Sequence, residues 1–263
     1  TTQALLAAGG VDTTIDPAAL HHQFTLHGVV PPPHTILRGI RKIEQGTTLT
    51  LDAGGRARTR RYWQLRAQRP ETARSEEEWT QEIHAALCAA VRRRLEIADV
   101  KVGVLLSGGL DSSLLVGLLA EQGVRDLMTF SIGFEDQPEE AGHEFDYSDA
   151  VARRFGTRHH QYRIPNDEVL RRMPDAIDCM AEPMASQDVV AFFLLSEQVS
   201  RTVKVVQTGQ GADEVFGGYR WHQAMHTAAG EPPLDRFRSR YFDRDHAEFE
   251  AMLEPPFRGA DVS

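Results

Sequence analysis

Between Lys101 and Val116 the chain reads KVGVLLSGGLDSSLLV. A short apolar run that breaks at two glycines and restarts rich in leucine predicts a buried parallel strand, a tight turn and a helix. Gly108 and Gly109 allow backbone N–H groups to converge, and the helix start adds unpaired N–H groups and the positive end of its dipole. A turn of this kind holds phosphate. Ser107, Ser112 and Ser113 supply hydroxyls around it. Asp111 would repel a bare phosphate, so its presence makes sense when a divalent cation lies between the two. The lysine of the GxxxxGK phosphate loop is missing, which suits a reaction in which pyrophosphate leaves as a unit.

The same alternation extends along the chain. Ser75-Glu76-Glu77-Glu78 is a capping box, and Trp79, Ile83, Ala86, Leu87 and Ala90 keep a helical apolar face to about residue 95. Strands are expected near 102–106, 127–133, 158–164 and 203–207, and helices near 112–121, 145–155, 167–180 and 189–200. That order predicts an α/β doubly wound parallel sheet, with ligands beyond the carboxyl ends of the strands. The last strand runs into a second glycine corner, VKVVQTGQGADEVFGGY at 203–219. Asp213 then lies at the same sheet edge as Asp111, and the two could share Mg²⁺ and bridge it to a triphosphate.

The first 65 residues follow another pattern. Asp16-Pro17 caps and opens a helix that closes at His27-Gly28, three prolines at 31–33 form a stiff connector, and 46–63 reads as a β-hairpin with one solvated face. The expected division is therefore 1–65, a linker at 66–74, and a second domain over 75–263.

With 29 basic and 38 acidic residues the net charge is −9, which gives no electrostatic footprint for nucleic acid or an anionic membrane. Cys88 and Cys179 each stand alone in a helical pattern and read as core thiols in a reducing compartment, neither a disulfide nor a metal site. No apolar run reaches membrane-spanning length, and a cytoplasmic location is expected. His159-His160 could suggest a metal site. Adjacent strand residues point to opposite faces, however, so the pair reads as a strand end with one solvated side chain.

LLSGGLDSS at 105–113 resembles the pyrophosphate loop of glutamine-dependent asparagine synthetases, within the ATP pyrophosphatase superfamily, and TGQGADEVFGGY at 208–219 is similar to their second signature. FSIGF at 130–134, Asp146-Tyr147 with Ala150, and FGTRHH at 155–160 match further segments, so the resemblance covers about 75–222. Residues 1–65 are similar to the end of that family's α+β N-terminal-nucleophile glutaminase domain, down to Arg61-Tyr62-Trp63. The resemblance implies an adenine nucleotide alpha hydrolase-like fold and a glutamine-hydrolysing carbon–nitrogen ligase. Its partners would be ATP, Mg²⁺, a carboxylate substrate (aspartate or a glutamine-containing dipeptide) and ammonia from glutamine, and the family leaves room for a homodimer.

On the same basis Leu105, Ser107, Gly108, Gly109, Asp111, Ser112, Ser113, Ile132, Thr208 and Gly209 are expected to bind nucleotide, and Asp111 and Asp213 the metal. The chain opens at Thr1 and is read as an internal fragment. It lacks the family's amino-terminal cysteine and the lysine-bearing helical region, so glutamine hydrolysis by this piece alone is not expected. Two positions depart from the pattern. Gln210 replaces a glutamate, and Ala181-Glu182-Pro183 replaces Asp-Glu-Pro. Glutamine cannot act as a base, although its amide can orient a polar substrate. Gln210 and Glu182 are the candidate catalytic positions, and together with Met184 they resemble the branch that amidates N-acetylglutaminylglutamine. A nucleic-acid-modifying pyrophosphate-loop enzyme is disfavoured by the acidic balance and solitary cysteines. A non-catalytic nucleotide-binding fragment is the other alternative.

Overall fold

The computed structural model describes residues 1–136, 143–184, 186, 188–228, 230–258 and 262. In chain order its elements are α1 (Thr2–Ala8), α2 (Pro17–Thr25), β1 (Thr47–Leu51), β2 (Ala57–Arg61), α3 (Glu76–Glu96), β3 (Val102–Leu105), α4 (Leu110–Glu121), β4 (Met128–Phe134), α5 (Phe145–Phe155), β5 (Arg158–Ile164), α6 (Asn166–Cys179), α7 (Asp188–Val199), β6 (Val205–Gln207), α8 (Ala212–Phe216), α9 (Arg220–Thr227), α10 (Pro233–Tyr241) and α11 (His246–Ala251). They form two compact units. One comprises 1–69, 179–186 and 220–263; the other comprises 70–178 and 187–219.

The second unit is built on a four-stranded parallel sheet in the order β5-β4-β3-β6. Strand side chains alternate between faces, and the sequence sorts accordingly. Val104 and Leu106 join Val91 of α3 and Leu115, Val116, Leu118 and Leu119 of α4 in one cluster. On the other face Met128 and Phe130 of β4 pack with Leu195 and Val199 of α7, and Ile164 packs with Ala176 of α6 and Leu194 of α7. Both faces are thus covered over β3 and β4, which are buried along most of their length, whereas the edge strand β5 stays polar and partly exposed. Within β3, Gly103 is required by packing: a Cβ there would lie 2.6 Å from Cε2 of Phe130, whose ring crosses the strand.

Helix α4 starts at Leu110, two residues earlier than its leucine pattern suggested, because Gly109 serves as an N-cap without a side chain. Asp111 therefore stands in the first helical turn. Helix α3 begins with the expected capping box, in which Ser75 Oγ accepts from the Glu78 N–H at 3.2 Å and the Ser75 N–H donates to Glu78 Oε2 at 2.7 Å. Strand β6 is shorter than the β-branched run around it, since only Val205–Gln207 pairs with β3.

In the first unit α2 is capped by Asp16, whose carboxylate accepts from Ala18 N–H at 2.9 Å and Ala19 N–H at 3.3 Å. Its apolar side is covered by α11. Phe249 is 1% exposed, with its ring 4.7 Å from that of His21 and 5.8 Å from that of Phe24. The Asp243 N–H donates to Thr25 O at 3.1 Å. Residues 179–186 and 220–258, expected to belong with the parallel sheet, pack here instead. The reason is that a nine-residue helix such as α2 cannot bury its own face, and Phe249 fills it. The first break between the two units falls between residues 69 and 70.

Strands β1 and β2 form the expected antiparallel hairpin, closed by Asp52, whose Oδ1 accepts from the Gly54 and Arg56 N–H groups at 2.9 and 2.8 Å. Both of its faces are exposed apart from Thr47 and not just one, because a two-stranded ribbon has no second layer here. Cys179 is also exposed rather than a core thiol, as it ends α6, whereas Cys88 is half-buried against the α3–α4 cluster. Among the described residues no helix is long and apolar enough to cross a membrane.

Candidate nucleotide site

The strand order decides where the site lies. From β3 the chain moves outward through β4 to β5, then returns to place β6 on the opposite side of β3. The loops after β3 and β6 therefore diverge at a topological switch point, where open α/β sheets leave a crevice. A cavity of about 290 Å³ occupies it, lined on one side by Ser107, Gly109, Asp111 and Ser112 and on the other by Thr208, Gly209, Gln210, Gly211 and Asp213. Leu105, Leu106, Phe130, Ser131, Ile132, Phe192, Leu195 and Tyr219 complete the wall.

Two glycines set the close packing of the corners. Gly108 has φ +91°, and a Cβ on it would meet Tyr147 Cβ at 2.5 Å and Ser148 N at 2.6 Å, so the loop lies directly on the start of α5. Gly209 lies against α4: its Cβ would be 2.9 Å from Asp111 Cβ and 3.0 Å from Ser112 N. Hydroxyls then hold the first corner. Ser107 and Ser112 Oγ are 3.0 Å apart, the Gly109 N–H donates to Ser107 Oγ at 3.2 Å, and Ser112 Oγ donates to Gly109 O at 3.2 Å. In the second corner Thr208 Oγ1 accepts the Gln210 N–H at 2.9 Å. Tyr219 donates to Glu214 Oε1 at 2.9 Å.

Of the residues expected from the sequence, Leu105, Ser107, Gly109, Asp111, Ser112, Ile132, Thr208, Gly209, Gln210 and Asp213 line this one cavity. Gly108 and Ser113 do not: Gly108 is occupied in packing on α5, and the Ser113 hydroxyl turns back to Gly109 O at 2.7 Å. Glu182 belongs to the first unit, where its carboxylate pairs with Lys42, whose ammonium also donates to Val30 O at 2.6 Å. Phe192 and Leu195 of α7 were not anticipated as site residues. The helix was legible, but the face it turns to the cavity depends on how α7 crosses the sheet.

The adjacent histidines lie on opposite faces of β5, as expected, although neither is freely solvated and both are half-buried. His159 is 9% exposed and meets Thr129 Oγ1 at 2.9 Å, Ser148 Oγ at 3.3 Å and Ser131 Oγ at 3.4 Å. Burial holds its pKa below the ordinary histidine value, against the opposing pull of the Asp149 carboxylate. His160 stacks on Phe130 at 5.1 Å with a 17° tilt, backing the cavity wall.

The site is thus two-ended. Phe130, Ile132, Phe192 and Leu195 form an apolar wall, whereas serine and threonine hydroxyls, loop N–H groups and two carboxylates form the other end. Such a donor set suits a hard divalent cation that keeps part of its shell for substrate phosphates, since Mg²⁺ needs only one or two protein carboxylates.

A family model described as asparagine synthase matches residues 82–260. A protein of Mycobacterium tuberculosis is 37% identical over 212 residues, covering 80% of this chain and 32% of its own length. Asparagine synthetase (glutamine-hydrolysing) 1 of Bacillus subtilis is 30% identical over 208 residues, covering 79% of this chain and 32% of its own. The chain therefore spans about a third of the length of these relatives. Among solved structures, an ammonia-dependent NAD synthetase from Campylobacter jejuni aligns over 68% of this chain and 90% of its own, at 12% identity and a TM-score of 0.35. With a parallel α/β sheet, two glycine corners facing one cavity and a family match across more than half its residues, this chain belongs to the asparagine synthase family.

Proposed function

We propose that the second unit is the nucleotide-binding, adenylating part of an ATP-dependent amide-forming ligase that uses ammonia derived from glutamine. The observation that carries this reading is a single cavity lined by both glycine corners and by Asp111 and Asp213. The apolar wall of Phe130, Ile132, Phe192 and Leu195 suits a nucleobase, and the polar end suits a triphosphate. A carboxylate is a poor acyl donor because its leaving group would be oxide. In the proposed reaction a carboxylate oxygen attacks the α-phosphorus of ATP, the bond to the β-phosphate oxygen breaks, and pyrophosphate leaves. Ammonia then attacks the acyl carbon, AMP departs with the electrons of the C–O bond, and the surplus proton passes to solvent.

Ser107, Gly109 and Ser112 would cradle the departing pyrophosphate, while Asp111 and Asp213 would hold Mg²⁺. The cation, when bound, supplies charge neutralisation at the phosphate oxygens. Gln210, on the cavity wall, would orient the acyl substrate through its amide without taking a proton. A neutral amide there offers no anionic partner to the α-ammonium of aspartate, whereas an N-acetylated glutamine dipeptide carries no ammonium to pair, which supports the dipeptide over aspartate.

The test is carboxylate-dependent exchange of labelled pyrophosphate into ATP, with aspartate and with N-acetylglutaminylglutamine as acceptors, in the chain and in Asp111→Asn. Exchange that needs Mg²⁺ and falls at least tenfold in the folded variant is expected. Nucleotide binding without exchange for any carboxylate would favour a non-catalytic nucleotide-binding chain, and unchanged exchange in Asp111→Asn would remove that residue from the mechanism.

A further inference from the structure

Away from the cavity, α3 and the far end of α4 bring three metal-ligating side chains to one point. His84 and Cys88 are one helical turn apart on α3, so they share a face, and Glu121 is the last residue of α4. Their ligand atoms all lie within 4.8 Å of one another, and among the described residues this is the one group of three or more His, Cys, Asp or Glu side chains so arranged. His84 Nε2 is 3.0 Å from Glu121 Oε2 and 3.7 Å from Cys88 Sγ.

The Nε2-to-Oε2 and Nε2-to-Sγ separations lie within about 0.4 Å of those a tetrahedral centre requires. With Zn–N, Zn–O and Zn–S bonds of about 2.0, 2.1 and 2.3 Å, adjacent vertices are about 3.4 Å apart for N and O and about 3.5 Å for S and N. The three donors are chemically matched to a borderline-soft cation, because imidazole, thiolate and carboxylate are all zinc ligands, and magnesium does not favour sulfur. The His84 and Glu121 side chains are 49% and 57% exposed, so an ion can enter from solvent and a water can take the fourth vertex. Cys88 is half-buried, and its helix face is already anchored: Leu87, Cys88 and Leu95 pack on the α3–α4 cluster, and Gln122 Nε2 donates to Cys88 O at 3.2 Å. The donors thus sit on two helices whose spacing is set by the core and not by the donors themselves.

We propose that His84, Cys88 and Glu121 form a surface site for a zinc-class divalent cation, with water as fourth ligand, which ties α3 to the C-terminal end of α4. Binding transfers the Cys88 thiol proton to solvent, and the thiolate, imidazole and carboxylate together complete a neutral site around the dication. This site is separate in chemistry from the hard-cation site at Asp111 and Asp213, and it stands whether or not the adenylation reading holds.

The metal-stripped full chain is titrated with Co²⁺, followed by displacement with Zn²⁺. One equivalent of Co²⁺ giving thiolate-to-cobalt absorption is expected, with the band removed by Zn²⁺. Cys88→Ser should abolish the band, His84→Ala and Glu121→Gln should each weaken binding at least tenfold, and Cys179→Ser and Asp111→Asn should leave the band in place. Both Cys88→Ser and Glu121→Gln are near-isosteric, so folding is preserved. No thiolate band at millimolar Co²⁺, a band that survives Cys88→Ser, or one lost in Cys179→Ser would each overturn the site.

Discussion

Gly209→Ala tests whether the two corners must touch for the cavity to work. Gly209 has no left-handed backbone to defend, so the added methyl acts by volume alone. It would meet Asp111 Cβ at 2.9 Å, Ser112 N at 3.0 Å and Asp111 C at 3.1 Å. Carbon contacts are comfortable at about 3.5 Å or more, so the loop after β6 and the start of α4 must separate by roughly 0.5 Å. Two of the three obstructing atoms are backbone and cannot rotate away. Overpacking of this kind costs about 1–3 kcal/mol of stability. A misplacement of 1 Å costs about 10²-fold in rate, so half of that predicts roughly tenfold lower exchange activity. Gly211→Ala provides the comparison. At φ +94° with no atom within 4 Å of the new Cβ, it meets only backbone strain, about 1–2 kcal/mol, and leaves the contact between the corners in place. Urea unfolding and Mg-ATP affinity are measured for both variants alongside pyrophosphate exchange. If Gly209→Ala binds Mg-ATP and exchanges pyrophosphate as the parent chain does, contact between the corners does not shape the site and the argument from packing fails.

Ser75→Ala removes the side-chain half of the capping box on α3 and is expected to cost about 1 kcal/mol in urea unfolding, with Ser75→Thr close to neutral. A loss indistinguishable from zero would mean that α3 is held by its packing alone. Acid should weaken the fold through His159 and His22, whose folded pKa values are both held down by burial, with the His34 charge a further cause for His22. In the unfolded chain each takes a proton as pH falls below about 6.5, while the folded chain resists, so stability declines from there until the folded pKa is passed. Urea midpoints at a series of pH values should show that decline, and His159→Gln should flatten it; an unchanged slope in the variant would place the acid sensitivity elsewhere.

Most of the candidate site was readable along the chain because its residues are contiguous. A strand that ends in Ser107-Gly108-Gly109 with Asp111 two residues on, and another that ends in Thr208-Gly209-Gln210-Gly211 with Asp213, carry their chemistry in local pattern, and apolar runs and caps mark the strands and helices between them. Tertiary structure decided what depends on distance. The order β5-β4-β3-β6 puts the two corners on either side of one crevice, and the crossing of α7 turns Phe192 and Leu195 into its wall. Helix α11 packs over α2 because Phe249 finds its partners more than 200 positions earlier, a contact without any local signal. For the same reason Cys88, solitary in sequence, acquires His84 and Glu121: helical periodicity supplies the first, and only the packing of α3 on α4 supplies the second.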